Sequence, residues 1–99
     1  STSWGAQRIE ELIHSESFRT VFSAGNGEVE IYEFEVPAEW NDHRLGELIT
    51  SDECVPVSLT RAGTAMIPTH DTMVHTDDVI LFSGTMNGSF AVRDQLGRK

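Results

Sequence analysis

Apolar and polar positions recur along this chain with two different periods, and the changes of period divide it into elements. Ile9, Leu12 and Ile13 stand at i, i+3 and i+4, the spacing of one helical stripe, and Ser3 can act as N-cap, so a helix is predicted over 4–15. From Phe18 the period drops to two. Residues 18–23 read as a strand and Gly25-Asn26-Gly27 as a hairpin turn, because Asn and Gly both tolerate positive φ; residues 28–36 are then the partner strand. That partner changes phase midway: Val29 and Ile31 share one face, whereas Tyr32, Phe34 and Val36 share the other. The change predicts either a bulge in this strand or cover on both of its faces.

Pro37 ends the strand for want of an N–H. Asn41 or Asp42 can then cap a short helix reaching Ile49, with Leu45, Leu48 and Ile49 on its inner side. Three further apolar segments, strung on two turns, fill 54–84. Strict alternation puts Val55, Val57 and Leu59 on one face, and Ile67 continues that surface beyond a turn at Ala62-Gly63, where Gly63 supplies positive φ. The run Val79-Ile80-Leu81-Phe82 is apolar on both faces, as a central strand is. Ser89 can cap a last helix bearing Phe90, Val92 and Leu96, ended by Gly97, with Arg98 and Lys99 at its negative pole. No repeat or low-complexity segment interrupts the pattern. It describes one α+β domain, which suits a chain of 99 residues.

Composition narrows the partners. The net charge is −9, from 7 Lys and Arg against 16 Asp and Glu, which argues against binding nucleic acid or an anionic membrane surface. One cysteine, Cys54, cannot make an internal disulfide. No apolar run approaches the roughly 20 residues that span a bilayer, and the start carries no signal-peptide pattern. A cytoplasmic domain is expected, and the missing initiator Met points to a piece of a longer protein.

Candidate chemistry is sparse. His70, Asp71, His75, Asp77 and Asp78 crowd into nine positions, but two imidazoles five apart in a loop match no zinc spacing, and the calcium-loop pattern is missing. A loosely held cation on Asp71, Asp77 and Asp78 remains as an alternative. Glu28, Glu30, Glu33 and Glu35 alternate between faces, so their carboxylates do not converge. Cys54 opens an apolar strand and reads as a small buried hydrophobe; no nucleophile signature and no G-x-G-x-x-G is present, so neither an enzyme nor a dinucleotide fold is expected. Arg61 is the sole cation between Arg44 and Arg93. Beside the Ala62-Gly63 turn it is a candidate anion contact.

These pieces, taken in order, resemble the TrkA C-terminal domain, the C-terminal subdomain of RCK (regulator of potassium conductance) modules. The resemblance rests on an apolar strand followed by Arg61 and Gly63, a second strand ending Ile67-Pro68, Asp71-Thr72 before Val74, the acidic Asp78, and a last apolar strand closing on Gly84. Leu45-Gly46-Glu47-Leu48 is similar to the family's Leu-x-Glu-Leu helix, although Asp42 and His43 replace the Gly-Lys that usually precedes it. The resemblance implies a β-α-β-β-β-α sandwich over 28–99, preceded by a linker helix and an extra strand over 1–27. It also implies a regulatory, ligand-sensing homodimer within a potassium transport system, attached to a Rossmann-type nucleotide-binding subdomain and a membrane transport subunit. In some members this domain binds cyclic di-AMP at the two-fold interface. Carried over by position, the contacts are Val55, Val57, Arg61, Ile67 and Pro68, with no cofactor held by this chain alone. A cation sensor or a plain assembly module are the rival readings.

Overall fold

The structure is a computed structural model that describes residues 17–99; the helix predicted over 4–15 lies outside the described residues. Strands β1 (Phe18–Ala24) and β2 (Val29–Glu35) are followed by a 3₁₀ turn (Ala38–Trp40) and helix α1 (Leu45–Leu48). Strands β3 (Cys54–Arg61), β4 (Thr64–Met66) and β5 (Val79–Gly84) come next, and helix α2 (Met86–Leu96) closes the chain. After β1, this is the β-α-β-β-β-α order expected from the sequence. All five strands join one antiparallel sheet in the order β1-β2-β5-β3-β4, so the doubly apolar β5 is indeed central.

One face of the sheet carries the core. Tyr32, Phe34, Leu59, Ile80 and Phe82 project from it and meet Trp40, Leu45, Leu48, Ile49, Val74 and Val92, all buried. Phe18 stacks on Phe34 with ring centroids 5.8 Å apart, and Phe82 closes edge-on to both rings. Fully burying each such side chain stabilises the fold by about 1.5–3 kcal/mol. The Arg93 guanidinium lies 4.4 Å above the Phe18 ring and seals this end.

Two bulges lie where alternation alone did not place them. Strand β2, where a phase change was expected, pairs with β5 without a break; the extra residue is Val21 in β1, between the pairs Thr20–Tyr32 and Phe22–Ile31. A second bulge puts Val57 between the pairs Pro56–Phe82 and Ser58–Leu81. It turns Leu59 inward to full burial while Val55 stays outward and 60% exposed, so the single face expected for Val55, Val57 and Leu59 is split. Pro56 is tolerated here because β4 pairs only with Leu59, Thr60 and Arg61, leaving that side of Pro56 without a strand.

Turns and caps also differ in detail. In the first hairpin Gly25 (φ 60°) and Gly27 (φ 95°) take the left-handed conformation, not Asn26. Helix α1 starts at Leu45 with Arg44 as N-cap residue, not Asn41 or Asp42; the Glu47 carboxylate accepts from the Arg44 N–H at 3.4 Å. Helix α2 starts one turn earlier than expected, with Thr85 as its cap accepting from the Gly88 N–H at 3.1 Å. Ser89 is therefore interior and buried, its hydroxyl donating to the Met86 carbonyl at 2.7 Å, and Phe90 faces outward while Val92 faces the core.

Candidate functional site

Of the residues singled out by sequence, Arg61 at the end of β3 meets Asp78 at the close of the 67–78 segment that leads into β5. Arg61 and Thr64 flank a two-residue hairpin turn in which Ala62 (φ 51°) and Gly63 (φ 82°) are both left-handed, the backbone twist that matches the strands on either side. Register puts Arg61 on the core face of the sheet, two residues beyond Leu59. There its Nε donates to Asp78 Oδ1 at 3.0 Å, and its Nη2 donates to Asp78 Oδ2 at 2.7 Å and to the Met73 carbonyl at 3.1 Å.

Asp78 is 2% exposed, and the Arg61 side chain 41%. A buried carboxylate without partners would be costly. Here the His75 N–H donates a further bond at 2.8 Å. Burial alone pushes the Asp78 carboxyl upward, but the Arg61 and His75 hydrogen bonds and the Arg61 charge outweigh it and hold the group below its ordinary value. The anion that Arg61 binds is thus its own chain's, through one edge of the guanidinium. Its Nη1 donates to nothing among the described residues.

This pair clamps a long connection. The Leu45 and Gly46 amides, orphan donors of the first turn of α1, reach the Thr72 and His70 carbonyls at 2.8 Å each. Asp42 and Val74 exchange strand-like contacts with their surroundings, Asp42 N–H to Val74 O and Val74 N–H to His43 O, both at 2.8 Å. Gly46 is required by closeness: a Cβ there would meet the His70 carbonyl at 3.0 Å. The segment ends at Asp77, whose φ of 72° is left-handed. We therefore expect Asp77→Gly to be neutral or stabilising, and Asp77→Val to destabilise by about 1 kcal/mol or more in thermal melts. Equal melting temperatures for all three proteins would contradict that backbone.

The five residues carried over from the resemblance do not form one pocket. Val55 lies on the outer face of the sheet, Val57 on the bulge, Arg61 on the inner side against Asp78, Ile67 beyond the end of β4 and 85% exposed, and Pro68 is buried. The cation alternative fares worse. Asp78 is committed to Arg61, and among the described residues no three His, Cys, Asp or Glu side chains form a metal-holding group. Burial, and next the Glu53 charge, raise the Cys54 thiol, which leaves it protonated and packed as a small hydrophobe. The Arg61–Asp78 pair itself escaped the sequence reading. Its signal was there in two facts: a lone cation in a long acidic stretch, and a carboxylate abutting a fully apolar strand.

The fold belongs to a known class. No family model and no curated protein matches the sequence. Among solved structures, the chain is similar to one described as "Crystal Structure of the GsuK RCK domain", with a TM-score of 0.69 at 14% identity over 83% of this chain. A second, "GsuK channel bound to NAD", gives 0.68 at 15% identity over 82%. The domain therefore has the RCK-type α+β fold. It spans 18% and 15% of those two chains, less than a fifth of each.

Proposed function

We propose that this chain is a TrkA-C-like regulatory domain of a potassium transport system, ligand-sensing and dimeric, carried beside a Rossmann-type nucleotide-binding subdomain on the cytoplasmic side of a membrane transport subunit. The observation that carries this reading is the RCK-type fold over four-fifths of the chain, joined to the order of motifs from Arg61 to Gly84. The chain has no dinucleotide fingerprint, so any NAD-like ligand falls to the neighbouring subdomain. No helix among the described residues is long and apolar enough to cross a membrane, and the transport step falls to another subunit.

The ligand assigned to the domain is cyclic di-AMP, at a two-fold axis beside β3 and β4. There Ile67 is exposed apolar surface for a base, and the edge of Arg61 that Asp78 leaves free is a donor for a phosphate; Val55, on the other face, would have to come from the partner chain. A symmetric partner would cover the same patch on both chains. Gel filtration with light scattering at micromolar concentration should give twice the chain mass, and a monomer at every concentration would count against the assignment.

Titration calorimetry tests the ligand. The phosphates approach a domain of charge −9, so affinity should be micromolar, about −8 kcal/mol, and should improve as salt screens the repulsion. Arg61→Lys keeps a charge for Asp78 but loses the fork, and should weaken binding about tenfold. No heat and no thermal shift up to millimolar ligand would remove cyclic di-AMP. Stabilisation by calcium alone would favour the cation sensor, and dimerisation without either response the plain assembly module.

A further inference from the structure

Asn-Gly occurs twice in this chain, and the two copies stand in opposite surroundings. Asn26-Gly27 is the exposed tip of the β1–β2 hairpin, where the Gly27 N–H donates to the Ala24 carbonyl at 2.9 Å and the Asn26 N–H to Glu28 Oε1 at 2.8 Å. A Cβ built on Gly27 would meet nothing within 4 Å. Asn87-Gly88 lies in the first turn of α2. Asn87 is exposed too, but Gly88 is buried; its N–H donates to the Thr85 hydroxyl at 3.1 Å, and a Cβ on it would stand 2.9 Å from the Glu53 carbonyl. Asn41, the third asparagine, precedes Asp42 and has its amide oxygen held by the Thr76 N–H at 2.8 Å.

We infer that Asn26 is a site of spontaneous deamidation, converted to aspartate and isoaspartate while Asn87 of the folded chain is spared. Base removes the Gly27 amide proton, the nitrogen attacks Asn26 Cγ, and the Cγ–Nδ2 bond breaks as ammonia leaves with a proton from solvent. The five-membered imide then takes up one water. Opening at Cγ gives aspartate, and opening at the main-chain carbonyl breaks the original peptide bond and gives isoaspartate, so nothing is oxidised or reduced. A following glycine favours the attack because no Cβ hinders its nitrogen or restricts its backbone. The attack needs the Gly27 N–H released from Ala24, and the bonds that must open lie within the exposed loop 25–28, so the opening is local and low in free energy. At Asn87 the same movement would unwind the start of α2, breaking the Ser89 N–H bond to the Thr85 carbonyl at 2.9 Å and lifting Gly88 off the Glu53–Cys54 backbone. The β1–β2 hairpin lies at the edge of the sheet away from β3 and β4, so the inference is independent of the ligand and the dimer proposed there.

Ageing the full chain in mildly alkaline buffer tests it. Trypsin places Asn26 and Asn87 on separate peptides, 20–44 and 62–93, so mass spectrometry reads both sites in one digest. We expect residue 26 to gain the mass difference between asparagine and aspartate at least about tenfold faster than residue 87. A methyltransferase that recognises isoaspartyl carboxylates should label the 20–44 peptide alone, and Asn26→Ser should abolish the label. In urea, where both dipeptides are released from the fold, the two rates should come within about twofold of each other. An aged chain with asparagine intact at 26, or one in which 87 reacts as fast as 26 in the folded state, would overturn the inference. A native ratio that persists in urea would overturn it too, by assigning the selectivity to neighbouring sequence and not to the hairpin and the helix.

Discussion

Arg61→Ala should be among the most damaging single substitutions in this domain, costing about 2–4 kcal/mol and lowering the melting temperature by roughly 10–20 °C. The reason lies in what remains. Asp78, 2% exposed, would keep only the His75 N–H and would lose both guanidinium bonds and the countercharge. The Met73 carbonyl would lose its donor in the same step. The half-exposed Arg61 side chain gains little from the pair on its own account, because solvent screens it, so the figure is set by the carboxylate stranded in the core. Arg61→Ala with Asp78→Asn should recover part of the loss, since the amide carries no charge to bury. A single-substitution cost below about 0.5 kcal/mol in urea titration would show that Asp78 finds water in its place.

The same pair sets a pH response. The folded Asp78 carboxyl titrates below its ordinary value of 3.8, so its contribution is complete well above that value and is lost as pH falls through and below it. Wild-type stability should therefore drop in the acid range more steeply than that of the Asp78→Asn protein, in which the group is missing.

Much of this was legible along the chain because most strands obey one rule each. The run at Val79–Phe82 had to be central, and the Leu45, Leu48, Ile49 spacing had to face the core, since no other placement buries them. Alternation fails where a residue drops out of register, and neither Val21 nor Val57 is marked as a bulge by its side chain. That failure moved Val55 to the face of the sheet opposite Leu59 and Arg61. Ser89 misled because Thr85, four residues earlier, is as good a cap. Pairing Arg61 with Asp78 needed two strands and the connection between them in three dimensions. No local period carries that information.

Gly88→Ala gives a second large effect, with a sign opposite to helix propensity. On an open helix surface the change would stabilise by about 1 kcal/mol. Gly88, however, lies where α2 crosses the start of β3, and a Cβ there would stand 2.5 Å from Cys54 Sγ and 2.9 Å from the Glu53 carbonyl. The carbonyl cannot withdraw cheaply, because the Thr85 N–H donates to it at 3.2 Å and ties the end of β5 to that backbone. Overpacking of this kind costs about 1–3 kcal/mol, and here the helix would have to lift from the sheet and draw its own buried Val92 out of the core as well, so a net loss of roughly 2 kcal/mol is expected. Cys54→Ala in the same chain removes the sulfur but not the carbonyl, and should restore only part of the stability. Thermal melts of the two single variants and the double variant separate the contributions: full recovery would assign the whole clash to Sγ, and a Gly88→Ala protein as stable as the parent would show that α2 does not rest on the Cys54 end of the sheet.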